Sequence, residues 1–574
     1  MEMSGSAQSR TATSQAQLDR SLSLLAEKAP AFIKLSARER AALLRACMPH
    51  LRRVSRAWVE AACQAKGHAL DHPTASEEWL AGPMVTMRAL RLYVGALEEI
   101  HRLGKPQLPG GAFRTGWDGR TEVRVFPYEN FDKAMFGGFS AHLRMQRGLT
   151  ELSVRERQAA HYSDKNARPG VSLILGAGNV ASIPPTDALH KLIVEGKVCL
   201  VKLNPVNEYL GPFYEQAFLP LVERGYLQFA YGGADVGSYL SYHPLIEDIH
   251  ITGSDRTHDL IVWGPPGPER ERRKAADDPV LKKTITSELG CVTPVMVVPG
   301  NYTPGELRFI AENIVTQVAN NASFNCNAAK VLVTSDGWPQ REALVGHVRE
   351  ILSGLPTRLA YYPGATDRYA SLTDGRDQVT RLGRSEPGKL PWTLIRGLDP
   401  ASNDKLWSTE PFCSILSEVA LPERDAPSFL RAATQFANNK LWGTLSCSII
   451  IDPRTEAQGD AKAALDQAVD ELRYGAVAIN HWPGVVYGAM TPPWGGHISG
   501  TLKDVQSGIG FVHNTPMIEG IEKVVFRGPL TVFPKPPWFV VNRRAHHIGE
   551  KLVDFEHAPS LLKLPSIVMD AVRG

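Results

Sequence analysis

The chain has 574 residues, enough for two or more domains with sizeable cores. Its 43% hydrophobic and 21% charged residues are the mixture of a soluble globular protein, and a net charge of +3 gives no electrostatic grip on nucleic acid. Seven cysteines, odd in number and without a CxxC pair, argue against a disulfide framework or a zinc site and point to reduced thiols in a cytoplasm.

Met1 to Arg10 lacks the apolar core of a signal peptide, and the first dozen or so residues are expected to fray. No run approaches the roughly 18 apolar residues of a membrane span. From Ala16 to His101 the pattern is helical. Gln17 to Glu27 and Ala37 to Ala65 carry apolar residues at helical spacing, and Ser36 with Glu39 forms a capping-box pattern. Pro83 opens a third such stretch through Ile100. This helical cap carries no catalytic motif and is expected to pack on a sheet. Leu108 to Gly111 is a turn. Thr121 to Phe126 alternates as a strand, and its charged positions suit an exposed or intersubunit edge. Phe131 to Gly148 gives no clear period.

From Gly170 strand and helix alternate. Val171–Leu175 reads as a buried strand and Val198–Lys202 as another apolar run of the kind found in parallel sheets, and Leu227–Ala230 and Ile249–Thr252 read as further strands. Between them lie the Gly176–Val180 turn, helices over Thr186–Glu195 and Pro212–Glu223, and a loop with Gly232, Gly233 and Gly237. A doubly wound sheet is the expectation. Gly264 to Arg272 is a loop excursion rich in Pro and charge, and its basic residues suit a solvated surface. At about Thr284 the chain is expected to cross into a second α/β unit. Its strands are Pro294–Val298, Val331–Thr334, Trp392–Ile395, Ser414–Ala420, Leu445–Ile451 and Gly475–Asn480. Its helices are Glu306–Val318, Arg341–Leu355, Ala426–Asn438 and Thr455–Leu472. Tyr361 to Pro387 reads as a polar loop. Gly528–Phe533 is strand-like, and the last forty residues hold a mixed basic helix.

Chemistry concentrates at Val318 to Val333. Cys326 lies among small residues and the amides Asn320, Asn321, Asn325 and Asn327, which suits a thiol carried into a cleft. Several other stretches then fit one pattern. Gly178-Asn179-Val180, Lys202 before Asn204, Gly233 with Gly237, Gly253-Ser254, Ser287-Glu288-Leu289-Gly290, Cys326 and Glu410-Pro411-Phe412 together resemble the aldehyde dehydrogenase superfamily, of which the chain looks like a divergent member. The resemblance implies an α/β fold. A Rossmann-type nucleotide-binding domain with the N-terminal helices would occupy residues 1–287, with 117–150 joining a small oligomerisation element. A second α/β catalytic domain would occupy 288–500, and an oligomerisation strand and tail 501–574. It implies a small-molecule aldehyde as substrate, NAD or NADP as cofactor, and a homodimer or homotetramer.

The resemblance also implies roles. Cys326 is the nucleophile, because a thiolate can add to an aldehyde and remain as a thioester. Asn179 and the Cys326 backbone N–H hold the oxyanion. Glu288 is the general base for water. Lys202, Asn204, Gly233, Gly237, Gly253 and Ser254 hold the nucleotide, and Glu410 and Phe412 its nicotinamide end. Trp482, Trp494 and Phe324 are expected to wall the aldehyde tunnel. The chain departs from the pattern at Pro205, Cys291, Ser323-Phe324 and Cys413-Ser414. Two other readings stand beside this one: an acylating enzyme in which coenzyme A meets the thioester, and a binding protein that has kept the fold without turnover.

Overall fold

The computed structural model describes residues 11–574; the expectation for the first ten lies outside them. Four strands, β1 (Phe113–Thr115), β2 (Thr121–Phe126), β3 (Ser140–Met145) and β4 (Val171–Leu175), come first in the chain. They are followed by β5 (Val198–Lys202), β6 (Leu227–Ala230), β7 (Asp248–Gly253) and β8 (Thr284–Leu289). β4 and β5 are buried along their whole length, as their mostly apolar sequences require, with Ser172 of β4 bonded to Asp248 at 2.6 Å. A six-stranded sheet runs in the order Gly508–Ile509, β8, β7, β4, β5, β6. All its neighbours are parallel except Gly508–Ile509, which runs antiparallel to β8. The chain steps outward from β4 to β6, then returns to the other side of β4 as β7. That reversal opens a crevice at the C-terminal ends of the strands.

The second sheet has eleven strands. Its parallel centre includes β9 (Thr293–Val297), β10 (Ala329–Ser335), Ser446–Ile450, Ala476–Ile479 and Ile521–Arg527. β3 pairs antiparallel with Ile521–Arg527 and attaches β2 and β1 beyond it. Helix Ala37–Ala65 starts at the expected box: Ser36 Oγ accepts from Glu39 N–H at 3.3 Å, and the Glu39 carboxylate accepts from Ser36 N–H at 2.8 Å. Among the described residues no helix is long and apolar enough to cross a membrane.

Several expectations change. The charges of β2 are not exposed: Glu122 lies directly opposite Arg144 on β3 and pairs with it at 3.1 Å, both buried. The excursion after Gly264 contains a helix, Pro268–Ala276, whose first proline suits an N-terminal turn. Thr284 does not begin the second unit, since β8 is still a strand of the smaller sheet and the crossing follows Leu289. The polar stretch after Tyr361 holds helix Ala365–Thr373 and strand Val379–Leu382. The Thr455–Leu472 stretch is two helices, Pro453–Glu456 and Gly459–Glu471. Pro212–Glu223 is likewise two, Gly211–Ala217 and Leu219–Val222. Gly528–Phe533 is not a strand; the strand is Ile521–Arg527, immediately before it.

The C-terminal helices Ala545–His557 and Leu564–Val572 fold back onto the N-terminal cap. Gly549 permits the approach, because a Cβ there would stand 2.5 Å from that of Trp79. Glu556 fastens it through Arg88 at 3.0 Å and Arg91 at 2.6 Å, in a buried ion-pair cluster.

Candidate active site

The thiol arrives on a tightly held turn. Helix Pro304–Ala319, boxed at its start by Thr303 and Glu306, stops at Asn320. Asn321, Ala322 and Ser323 then follow with φ of 53°, 54° and 68°. Three successive left-handed residues, none of them glycine, cost on the order of 1–3 kcal/mol each and need outside support. The support is polar and buried. Asn321 Nδ2 donates to the Asn179 carbonyl at 2.9 Å, the Phe324 carbonyl at 3.1 Å and Asn325 Oδ1 at 3.1 Å. Its Oδ1 accepts from Lys66 Nζ and from the Tyr361 hydroxyl, both at 2.9 Å. Its backbone N–H donates to Glu77 at 3.0 Å. Lys66 is in turn paired with Glu78 at 2.8 Å. The helical cap therefore does take part in the site, through Lys66, Glu77 and Glu78, contrary to its plain appearance in sequence.

Glu288 lies on β8, one residue before the chain leaves the smaller sheet, and Cys326 precedes β10 of the larger one. The two sheets thus bring thiol and carboxyl together: Cys326 Sγ donates to Glu288 Oε1 at 3.0 Å. Glu288 is 2% exposed, and its second oxygen has no partner. Burial raises its carboxyl above the usual range, opposed by the Cys326 thiol and the Trp494 indole. Burial, with the Glu288 charge added, pushes the Cys326 thiol well above its ordinary value. At rest the thiol keeps its proton and lends it to the carboxylate. The Cys326 backbone N–H donates to no group among the described residues. Asn179 reaches the same turn, where its amide donates to the Phe324 carbonyl at 2.9 Å.

Lys330 was not singled out by sequence, although a lysine inside the apolar run of β10 is a signal. Its buried ammonium donates to the Ser323 carbonyl at 2.9 Å and hydroxyl at 3.2 Å, closing the thiol turn from below. Burial holds its pKa below normal, opposed by Glu410 and by the Cys413 and Cys326 thiols. A cation there favours the ionised sulfur. Lys330→Met is expected to slow alkylation of Cys326 by iodoacetamide severalfold at neutral pH. The rate against pH checks this, since a purely structural loss would not displace the profile upward.

A cavity of about 750 Å³ opens beside Cys326. Trp482 and Trp494 line it with Glu288, Asn325 and Asn327. Phe324 does not; it packs in an aromatic cluster with Tyr361, Tyr362 and Phe412, at ring separations of 4.8, 5.9 and 5.7 Å. Cys291 turns its sulfur into the core, toward the Ser446 carbonyl.

Most of the other predicted residues stand at the C-terminal ends of strands in the smaller sheet or just beyond them. Lys202 ends β5 and is 7% exposed; its carbonyl accepts from Gly176 N–H at 3.1 Å, and its ammonium lies in the field of Glu208 and Asp235. Burial lowers its pKa. Asn204 Oδ1 accepts from Val206 N–H at 3.0 Å. Gly233 caps helix Ala234–Tyr242, which contains Gly237. Gly253 ends β7, and Ser254 caps helix Asp255–Trp263 by accepting from Thr257 N–H. Glu410 stands against the backbone of Gly290, where an added Cβ would meet its carboxylate at 2.1 Å. Burial raises this carboxyl to about 7, opposed by Lys330, and its Oε1 has no partner. Phe412, at φ 42°, packs on Tyr362.

No family model matches the chain. N-succinylglutamate 5-semialdehyde dehydrogenase of Sphingopyxis alaskensis is 23% identical over 282 residues, which are 48% of this chain and 53% of that protein. The match therefore spans about half of the curated relative's length. NADP-dependent glyceraldehyde-3-phosphate dehydrogenase of Bacillus halodurans, solved with NADP, superposes with a TM-score of 0.59 at 18% identity, over 90% of this chain and 92% of that one. Aldehyde dehydrogenase C of Pseudomonas syringae, solved with NAD+ and octanal, gives 0.59 at 14% identity, over 90% and 89%. The chain has the aldehyde dehydrogenase fold.

Proposed function

From this fold and this site we propose that the protein oxidises an aldehyde to a carboxylic acid with NAD or NADP, the unit around the smaller sheet holding the nucleotide and the unit around the larger sheet the acyl group. The observation that carries the reading is the 3.0 Å contact between the Cys326 thiol and Glu288, made where the two sheets meet and open to a cavity. The Glu410 Oε1 is a buried polar atom without a partner among the described residues, and the Lys202 ammonium stands at the end of β5, which fits a nucleotide's phosphate or ribose groups. Such a nucleotide supplies the acceptor for the hydride lost from the aldehyde carbon.

Glu288 takes the thiol proton, and the sulfur of Cys326 adds to the carbonyl carbon. The Cys326 backbone N–H and the second amide hydrogen of Asn179 meet the oxygen as it becomes negative. Loss of hydride leaves a thioester on Cys326. Glu288, its proton passed on to solvent, then deprotonates a water that attacks the thioester, and the acid departs as the sulfur regains a proton. The unpartnered oxygen of Glu288 is a ready seat for that water, which favours hydrolysis over transfer to coenzyme A. The test is NAD(P)H formation from a panel of aldehydes with each nucleotide, with and without coenzyme A. Carboxylic acid as product, independent of coenzyme A, is expected. An acyl-coenzyme A product would replace this reading with the acylating one, and absence of turnover with nucleotide still bound would favour the binding protein.

A further inference from the structure

The cavity beside Cys326 continues far past the chemistry. We propose that it takes a long, unbranched apolar aldehyde, with the C-terminal helices Ala545–His557 and Leu564–Val572 setting the chain length; this rests on the oxidation reading above. At the inner end the walls are Trp482, Tyr487 and Trp494, and the far wall is built by Ile548, Leu552, Leu564, Ile567 and Ala571 from the two C-terminal helices. A volume of about 750 Å³ equals roughly 25 water volumes, room for an alkyl chain of about a dozen carbons or more.

Charge argues the same way. The two basic residues on the wall are already neutralised. Arg88 pairs with Asp132 at 2.8 Å and Glu556 at 3.0 Å, and Lys535 with Glu312 at 2.9 Å. A phosphate or second carboxylate on the substrate would enter an apolar space without a free cation to meet it. The rim is apolar too: Phe533 and Val568 line the cavity and are also 83% and 50% exposed. The wall also carries Ser76, Glu77, Asn320 and Thr531, but most of the lining that an alkyl tail meets is apolar.

The experiment measures kcat/KM of the full chain for unbranched aldehydes from butanal to tetradecanal, beside succinate semialdehyde. A rise of roughly two- to fourfold per methylene is expected up to about dodecanal, as burial of each methylene predicts. A flat or falling series, or a preference for the anionic aldehyde, overturns the proposal while leaving aldehyde oxidation in place. Ala571→Trp at the far wall is expected to lower the dodecanal-to-hexanal ratio at least tenfold, and an unchanged ratio overturns the placement. Val568→Trp, at the rim, gives the same readout should the first variant fold poorly. Dodecanol binding, followed by quenching of tryptophan fluorescence, needs no turnover. If no aldehyde is oxidised, the oxidation reading fails; dodecanol binding that Ala571→Trp weakens then still upholds the ligand class, and no binding overturns it.

Discussion

Cys326→Ala is expected to abolish aldehyde oxidation, with kcat falling on the order of 10⁴-fold or more, as loss of a covalent nucleophile does. Nucleotide affinity should stay within about twofold of the parent, because Lys202 and Ser254 lie on the other sheet and touch neither the thiol nor its turn. Alanine leaves the supports of the turn intact, since Asn321, Lys66 and Lys330 bind backbone and amide groups and not the sulfur. Steady-state rates and nucleotide titration together check this. Comparable turnover in the variant would remove Cys326 from the chemistry. The other six cysteines, Cys47, Cys63, Cys199, Cys291, Cys413 and Cys447, are buried and line no part of the cavity, whereas Cys326 is part-exposed, lines it and reaches Glu288 at 3.0 Å, so none of them offers a substitute.

Glu288→Gln is expected to separate the two halves of the reaction. Acylation can still proceed once, more slowly, with water taking the thiol proton in place of Glu288, since glutamine also removes the negative charge that raises the thiol's pKa. Hydrolysis then lacks its base, so kcat should fall about 10²- to 10⁴-fold. Rapid mixing should show a burst of NAD(P)H near one equivalent per site, followed by slow turnover. The pH profile supplies a second check. Glu288 works as a base only when ionised, so the parent rate climbs as pH rises through its pKa. Burial displaces that pKa upward, so the acid limb should lie above the ordinary carboxylate range. The limb should vanish in the glutamine variant. A variant with the parent's limb would show that another group titrates there.

Much of this architecture was legible from residues alone. β4 and β5 stand where their mostly apolar runs place them, because a strand buried on both faces must be largely apolar. Strand Val379–Leu382 was hidden for the opposite reason: it is an edge strand, paired on one side and half exposed, so its sequence carries no clean period. Ile521–Arg527 was hidden because it does not alternate: Lys523 and Val524 are adjacent and both buried, so the stretch carries no period of two. At the site, Glu288 and Cys326 could be named from motifs. Lys66, Glu77 and Glu78 could not. Lys66 and Glu77 meet Asn321 across more than 240 positions, with Glu78 holding Lys66, and nothing local in a helix sequence announces a partner that distant. Phe324 shows the converse: proximity in sequence to Cys326 suggested a tunnel wall, but the left-handed turn between Asn321 and Ser323 swings the ring into the Tyr361 cluster instead.

The far wall of the cavity has an implication for synthesis. Residues 548 to 571 complete a space whose reactive end is made by residues 288 to 327. On the ribosome, the thiol and its carboxyl emerge and can pair long before the surface that encloses the substrate's tail exists. A chain interrupted after Arg527 would carry its chemistry intact while leaving an apolar trough open to water, a species for chaperones and proteases to recognise.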